Sequence, residues 1–243
     1  MKIPKLHPRY ESLKTRDLTA EGVKKGITSI HGLIAHGRGE AFDYLLGERT
    51  NDFAKKSVDS AAALLLLAKH PVISVNGNVA ALVPKEIVKL SEIIPAKLEV
   101  NIFHTSKQRE IRIKKHLEKY GAKNVLLPDR KYQIKYMESN RKYVNPNGIL
   151  KADVVFVPLE DGDRTEALIK NGKKVIAIDL NPVSRTAQKA TITIVDNIVR
   201  AMPLLAKTIK QYKKYNKNKL NNIVNNYSNK KILEEAIKKI RKL

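Results

Sequence analysis

The stretch ADVVFVPLEDGDR, from Ala152 to Arg164, decides how the chain is read. Val154, Val155, Phe156 and Val157 are apolar at four consecutive positions. Both faces of such a segment are dry, the pattern of a strand inside a parallel sheet that helices cover on both sides. After Pro158 and Leu159 comes Glu160-Asp161-Gly162-Asp163-Arg164, with three carboxylates and a guanidinium, and a helical stretch runs from Asp163 to Lys170, opened by the box Asp163-x-x-Glu166 and stopped by Gly172. Outward from here, β-branched apolar runs recur at Pro71 to Val75, Lys97 to Phe103, Asn124 to Leu127, Lys173 to Leu180 and Thr191 to Val195. Helical stretches at Val79 to Ile94 and at Ser106 to Tyr120, the latter opened by Thr105-x-x-Gln108 and ended by Gly121, lie between them. The alternation predicts an α/β fold with a mostly parallel, six-stranded, doubly wound sheet over residues 71–203.

Ahead of the first strand the pattern is helical at Thr19 to His36, Glu40 to Leu46 and Asn51 to Lys69, with Thr50 as a cap. Residues 1–70 therefore read as an N-terminal helical layer of the same domain, packed on the sheet or on a second subunit. Residues 204–243 read as a basic tail. Within it seven of the fourteen residues from Asn216 to Asn229 are Asn, the composition of a linker, and Ile232, Leu233, Ala236, Ile237 and Ile240 then recur at the spacing of a short amphipathic helix.

The 243 residues carry 47 Lys plus Arg against 24 Asp plus Glu, a formal charge of +23, of which +10 falls in residues 204–243. Such a field attracts polyanions but does not choose between nucleic acid and nucleotide. With 5% aromatic residues and no Trp, the stacking platforms of single-strand binders are poorly supplied, so a basic nucleic-acid-binding α/β protein stands as the alternative reading rather than the first. The absence of Cys excludes disulfides, thiolate metal sites and a thiol nucleophile. The longest apolar run, Ala61 to Ala68, is too short to cross a bilayer, and Met1 to Tyr10 has no signal-peptide core, so the expectation is a cytoplasmic protein.

In an open parallel sheet ligands sit beyond the carboxyl ends of the strands. There the sequence offers Asn76-Gly77-Asn78, where glycine lets backbone N–H groups approach an anion, and Asn101 to His104, with His104 ahead of a helix. It also offers the carboxylates Glu160, Asp161 and Asp163, suited to Mg²⁺ or to a substrate ammonium, although Asp163 also reads as an N-cap. Asp179-Leu180-Asn181 with Arg185 can address ribose, base and phosphate in turn, and Asp196-Asn197 opens a further helix. Gly37-Arg38-Gly39, between two helical stretches, is a candidate phosphate clamp, and Arg16 a second. A P-loop, Gly-x-Gly-x-x-Gly and Gly-x-Ser-x-Gly are all missing, which demotes hydride transfer at a standard dinucleotide site and serine hydrolysis.

The strings HPRYESLKTRDLTAEGVKKGITS (His7 to Ser29), HGRGEAFDYLLGERT (His36 to Thr50), HPVISVNGNVAALVP (His70 to Pro84), ADVVFVPLEDGDR, VIAIDLNPVSRTA and TIVDN together resemble the archaeal phosphopantothenate synthetase, or 4-phosphopantoate-β-alanine ligase, family. The resemblance spans about His7 to Pro203; residues 128–148 and the tail after Pro203 lie outside its pattern. It implies a Rossmann-like core and a homodimer that condenses 4-phosphopantoate with β-alanine, using ATP with Mg²⁺ and releasing AMP and diphosphate. The family's nucleotide positions fall on Arg16, Arg38, Asp179, Leu180, Asn181, Arg185, Thr186, Asn197 and Ile198. Beyond what the family carries over, Asn76, Asn78, Asn101, Glu160 and Asp163 are expected to hold substrate, and His104 and Asp161 to act in catalysis; the metal ligands stay open.

Overall fold

In a computed structural model, which describes residues 3–242, six parallel strands form one sheet. They are β1 (Pro71–Val75), β2 (Lys97–Val100), β3 (Val125–Leu126), β6 (Val154–Pro158), β7 (Lys174–Ile178) and β8 (Ile192–Ile194), in the order β3-β2-β1-β6-β7-β8. The chain winds outward from β1 in one direction and from β6 in the other, so the order reverses between these two neighbours, where Val72 pairs with Val155 and Ile73 with Phe156. The expected α/β architecture is present.

Alternation assigns the two faces. Ile73 and Val75, Val154 and Phe156, and Ile176 and Ile178 pack into a large core with α3 (Asp52–Leu67), α5 (Pro84–Ile93) and α9 (Ile198–Tyr212). Val72, Val155, Val157, Val175 and Ala177 face the other way, toward Ala167 and Leu168 of α7 (Gly162–Lys170) and toward Ile134, Val144 and Ile149. These last three belong to an excursion between β3 and β6 that includes the antiparallel pair β4 (Asp129–Gln133) and β5 (Tyr143–Val144) and a short 3-10 turn, Asn140–Lys142. The excursion thus helps to cover one sheet face.

Polar residues interrupt that face. Ser74 and its register partner Glu99 are buried, and Glu99 takes the backbone N–H of Asn145 (2.9 Å) and of Ile149 (2.7 Å), pinning the end of the excursion to β2. Burial raises the Glu99 carboxyl to about 7, against the two backbone hydrogen bonds that favour its charge.

Several local boundaries differ from expectation. The first two helices are α1 (Tyr10–Lys24) and α2 (Ile30–Leu46), so the break falls at Gly26, whose φ of +64° suits glycine, and not at Gly37-Arg38-Gly39. Both glycines around Arg38 are helical, and Arg38 lies in mid-helix. The stretch from Val79 to Ile94 splits into α4 (Gly77–Leu82) and α5 because Pro84 starts a new helix. Asn51, not Thr50, occupies the N-cap of α3, and Thr50 donates to Asp196 (2.6 Å); Ser106 precedes α6 (Lys107–Lys119) without a side-chain cap. Asp161, not Asp163, caps α7. Gly77 serves close packing rather than an anion: a Cβ there would stand 2.6 Å from the Ile27 carbonyl oxygen and 2.8 Å from the Thr28 Cα.

The linker expected at 216–229 is largely helical. Ser228 caps α11 (Asn229–Ile240), α10 (Lys217–Asn225) buries Leu220 against α3, and α11 packs on α2, α3, α8 (Arg185–Lys189) and β8 through Ile232, Leu233 and Ala236. The basic C-terminal segment is a docked layer. No helix among the described residues is long and apolar enough to cross a membrane.

Glu99 gives the fold a pH dependence of known sign. Its ordinary value is 4.5, so between about 4.5 and 7 the folded chain keeps a proton that the unfolded chain has released, and stability falls as pH rises through that window. At roughly 1.4 kcal/mol per pKa unit, the loss is on the order of 3 kcal/mol at most. Urea unfolding from pH 5 to 8 should show this decline in the parent and a flatter profile in Glu99→Gln; equal slopes would remove Glu99 as its source.

Candidate active site

A cavity of about 600 Å³ opens beyond the carboxyl ends of β1, β6, β7 and β8, at and beside the reversal of strand order. One wall is α2, through Ala35, His36, Arg38, Gly39, Glu40 and Phe42. The other is built from strand ends and the helix starts that follow them: Asn78, Leu159 to Gly162, Asp179 to Asn181, Ser184 to Thr186, and Asn197 with Ile198.

The end of β6 is held in an uncommon shape. Leu159 has φ +54°, a left-handed conformation that costs a side-chain-bearing residue roughly 1–2 kcal/mol. Neighbours lock it: its N–H donates to Ile178 O (3.0 Å), its carbonyl accepts from Asn76 Nδ2 (2.8 Å), and the next carbonyl, of Glu160, accepts from Thr186 Oγ1 (2.9 Å). The turn swings Glu160 and Asp161 to the cavity floor.

There the excursion meets them. Arg141 is buried, and all five of its N–H groups find acceptors: Nε donates to Asn101 Oδ1 (2.8 Å), Nη2 to Asn101 O (3.1 Å) and Glu160 Oε2 (2.9 Å), and Nη1 to Glu160 Oε1 and Asp161 Oδ2. Arg164, also buried, reaches Glu160 Oε2 and Ser74 Oγ from the other side. Burial disfavours the charge on Asp161, but Arg141 and the Arg164 backbone N–H outweigh it and hold this carboxyl below its ordinary range. Two carboxylates are thereby cancelled by two guanidinium groups.

The wall opposite is set by ion pairs behind it. Glu40 accepts from Arg16 Nε (3.0 and 2.9 Å) and from Ser12, which, against burial, keep its carboxyl low. Arg200 of α9 joins Asp43 of α2 to Asp196, and Asn197 Nδ2 donates to Asp43 (2.9 Å), fastening α2 to the start of α9. At the end of β7, burial pushes the Asp179 carboxyl up, although Ser184 Oγ and the Asn181 N–H (2.9 Å) both donate to it.

Residues 53–243 match the family described as phosphopantothenate/pantothenate synthetase. The chain belongs to that family. Among its curated relatives, the 4-phosphopantoate–beta-alanine ligase of Thermococcus kodakarensis is 52% identical over 98% of this chain and 92% of its own. That of Thermococcus onnurineus is 53% identical over 99% and 93%. That of Methanosarcina mazei is 52% identical over 98% and 94%.

Of the nine positions that resemblance to the family marks for nucleotide, Arg38, Asp179, Leu180, Asn181, Arg185, Thr186, Asn197 and Ile198 line the cavity. Arg16 does not, and borders the wall through Glu40. The substrate candidates are dispersed. Asn78 lines the cavity with its amide engaged by Thr28 and by Gly32 O (2.9 Å), Glu160 is held by the two arginines, and exposed Asp163 pairs with Arg185 outside the lining. Asn76 caps α4 and holds Leu159, and buried Asn101 holds Arg141, so neither presents a free group. Among the catalytic candidates, Asp161 lines the cavity but caps α7 and pairs with Arg141. His104 is exposed beside the start of α2, its ring 4.5 Å from that of His31, and lies outside the lining.

Sequence reasoning missed His36, Glu40 and Arg141. The first two stand four apart, a spacing that puts them on one helix face once α2 is read through its glycines. No signal marked Arg141, whose partners are 40 and about 20 residues away.

Removing Arg141 leaves buried Glu160 and half-buried Asp161 sharing one counter-charge, Arg164. Arg141→Met should lose roughly 3–5 kcal/mol in chemical denaturation. Adding Asp161→Asn, which leaves Glu160 paired with Arg164, should return most of it; a single variant as stable as the parent would show that the network is not what holds the floor.

Proposed function

We propose that the chain is an ATP-dependent ligase of the cytoplasm that joins 4-phosphopantoate to β-alanine, giving 4'-phosphopantothenate, AMP and diphosphate on the route to coenzyme A. The observation that carries this reading is the gathering of eight nucleotide positions around one cavity of about 600 Å³, within the range of small-molecule sites, in a chain about half identical to ligases of that name over nearly its full length.

The chemistry follows from charge. A carboxylate is inert to amines, so it attacks the α-phosphorus of ATP, diphosphate leaves, and the acyl-adenylate is the electrophile that the amine consumes. Both reactants are anions. Arg38 on α2 and Arg185 at the start of α8, the latter also paired with Asp163 and Glu166, both line the cavity and offset their repulsion, with reacting oxygens needed about 3 to 3.5 Å apart. Asp179 to Asn181 take the nucleoside, and the start of α9 at Asn197 and Ile198 presents the positive end of a fifteen-residue helix. Arg141 prevents Glu160 and Asp161 from repelling the same ligands.

The residues do not build a cage for Mg²⁺. Among the described residues no three His, Asp or Glu side chains are grouped to hold a metal ion, and Glu160 and Asp161 are spent on Arg141. The cation would sit on the phosphates of the nucleotide, as is usual for Mg²⁺, and would offset their charge there. The homodimer fits the apolar face that exposed Ile30 and Ile34 of α2 form near Phe103.

Purified protein should form AMP only when phosphopantoate, β-alanine and Mg-ATP are all present. Arg38→Ala should keep the parent's circular dichroism and lose at least about 100-fold in kcat/KM, the effect of about 2.7 kcal/mol of transition-state stabilisation. No AMP with all substrates present overturns the reading, and a near-parent rate takes Arg38 out of the site.

A further inference from the structure

Among the described residues, the acidic side chains around the cavity are committed to partners, and His36 is the lining group that could act as a base and is not. Glu40 is held by Arg16 and Ser12, Glu160 by Arg141 and Arg164, Asp161 by Arg141, and Asp179 by Ser184 and the Asn181 N–H. His36 lines the same cavity from α2, two residues before Arg38 and one turn before Glu40. Its Nε2 is closed off from solvent and has no hydrogen-bond partner among the described residues. A buried polar atom left unpaired in a binding site is one that a ligand can satisfy.

We propose that His36 is the catalytic base that takes the proton of the β-alanine ammonium before the amine attacks. The proposal rests on the acyl-adenylate reading above and identifies the group that its second half requires. An alkylammonium of this kind has a pKa near that of lysine, about 10.4, so at pH 7 fewer than about one molecule in a thousand is a free amine. Burial lowers the His36 pKa; Glu40 pulls it up, and Arg16 of α1 pushes it down again, so the ring is neutral and able to accept a proton near pH 7. The other elements on α2 add no charge beside it: α4 brings Asn78 to the cavity, and α11 meets α2 in the apolar cluster of Phe42 and Leu46. The other charged groups of the lining are Arg38 on α2 itself, Asp179, Arg185, which is paired with Asp163 and Glu166, and the neutralised Glu160 and Asp161.

The step balances. One ammonium proton passes to the unprotonated imidazole nitrogen. The freed lone pair forms the C–N bond at the acyl carbon, the C–O bond to the phosphoryl group breaks, and AMP leaves with that electron pair. The surplus proton on nitrogen goes to the departing phosphate, and His36 returns its own to water.

The test separates the two halves of the reaction in His36→Gln. Phosphopantoate-dependent exchange of labelled diphosphate into ATP needs no amine and should slow by less than about tenfold. Amide formation from β-alanine at pH 7 should fall by about 100-fold or more, as expected for loss of a general base. It should recover as pH is raised and the free amine supplies itself. Hydroxylamine, an acceptor already neutral at pH 7, should be acylated by parent and variant at similar rates. Amide formation at the parental rate with an unchanged pH profile overturns the proposal, and so does an equal loss of exchange and amide formation, which would make His36 a structural wall. Absence of exchange in the parent protein instead overturns the acyl-adenylate reading, and this proposal with it.

Discussion

The site depends on a charge cancellation made across a long gap in sequence. Arg141 rides on an excursion outside the βα rhythm of the chain, yet its guanidinium lies buried against Glu160 and Asp161 at the tip of a central strand. A single buried arginine beside two carboxylates would leave a net negative charge; Arg164 from the following helix completes the balance. Arginine suits this place because its planar fork feeds Asn101 and both carboxylates at once, which a lysine could not do. Such a network contributes little net stability compared with an apolar floor of the same volume. Its consequence is electrostatic: the floor beneath the cavity is neutral, and Arg38 on its wall is left for ligands.

The remaining architecture serves that arrangement. The reversal of strand order opens the space, the left-handed Leu159 turns the carboxylates into it, and the Asp43–Arg200–Asp196 ion pairs hold α2 over it as a wall. α2 carries both the cation expected to meet phosphate, Arg38, and His36, whose buried Nε2 has no partner among the described residues. The polar groups of the cavity come from α2 and from the strand ends and helix starts facing it, which suits a reaction whose catalysis is mostly the positioning of two anions.

Much of this was legible in the sequence, for physical reasons that can be named. The unbroken apolar run from Val154 to Val157 announced a strand dry on both faces, and polar residues after each strand located the ligand end of the sheet. What was hidden were features whose cause is tertiary. Gly37 and Gly39 look like a break between helices, but packing carries α2 straight through them. Asn-rich residues 216–229 look too polar to fold, but Leu220 and Tyr227 find the core and most of the segment becomes a helix. Asn76, Asn101 and Asp161 have the chemistry of ligand groups, yet each is engaged by a cap or by Arg141. Spacing along the chain cannot show that a polar side chain is already taken.

The central claim is that a neutral floor and cationic walls make one pocket for a nucleotide and a second anion. A crystal structure of the protein with ATP and 4-phosphopantoate tests it most directly. The account expects the triphosphate between Arg38 and Arg185, the nucleoside against Asp179 to Asn181, and Arg141 still seated on Glu160 and Asp161. A nucleotide bound elsewhere, or Arg141 withdrawn from the carboxylates to meet phosphate, would contradict it.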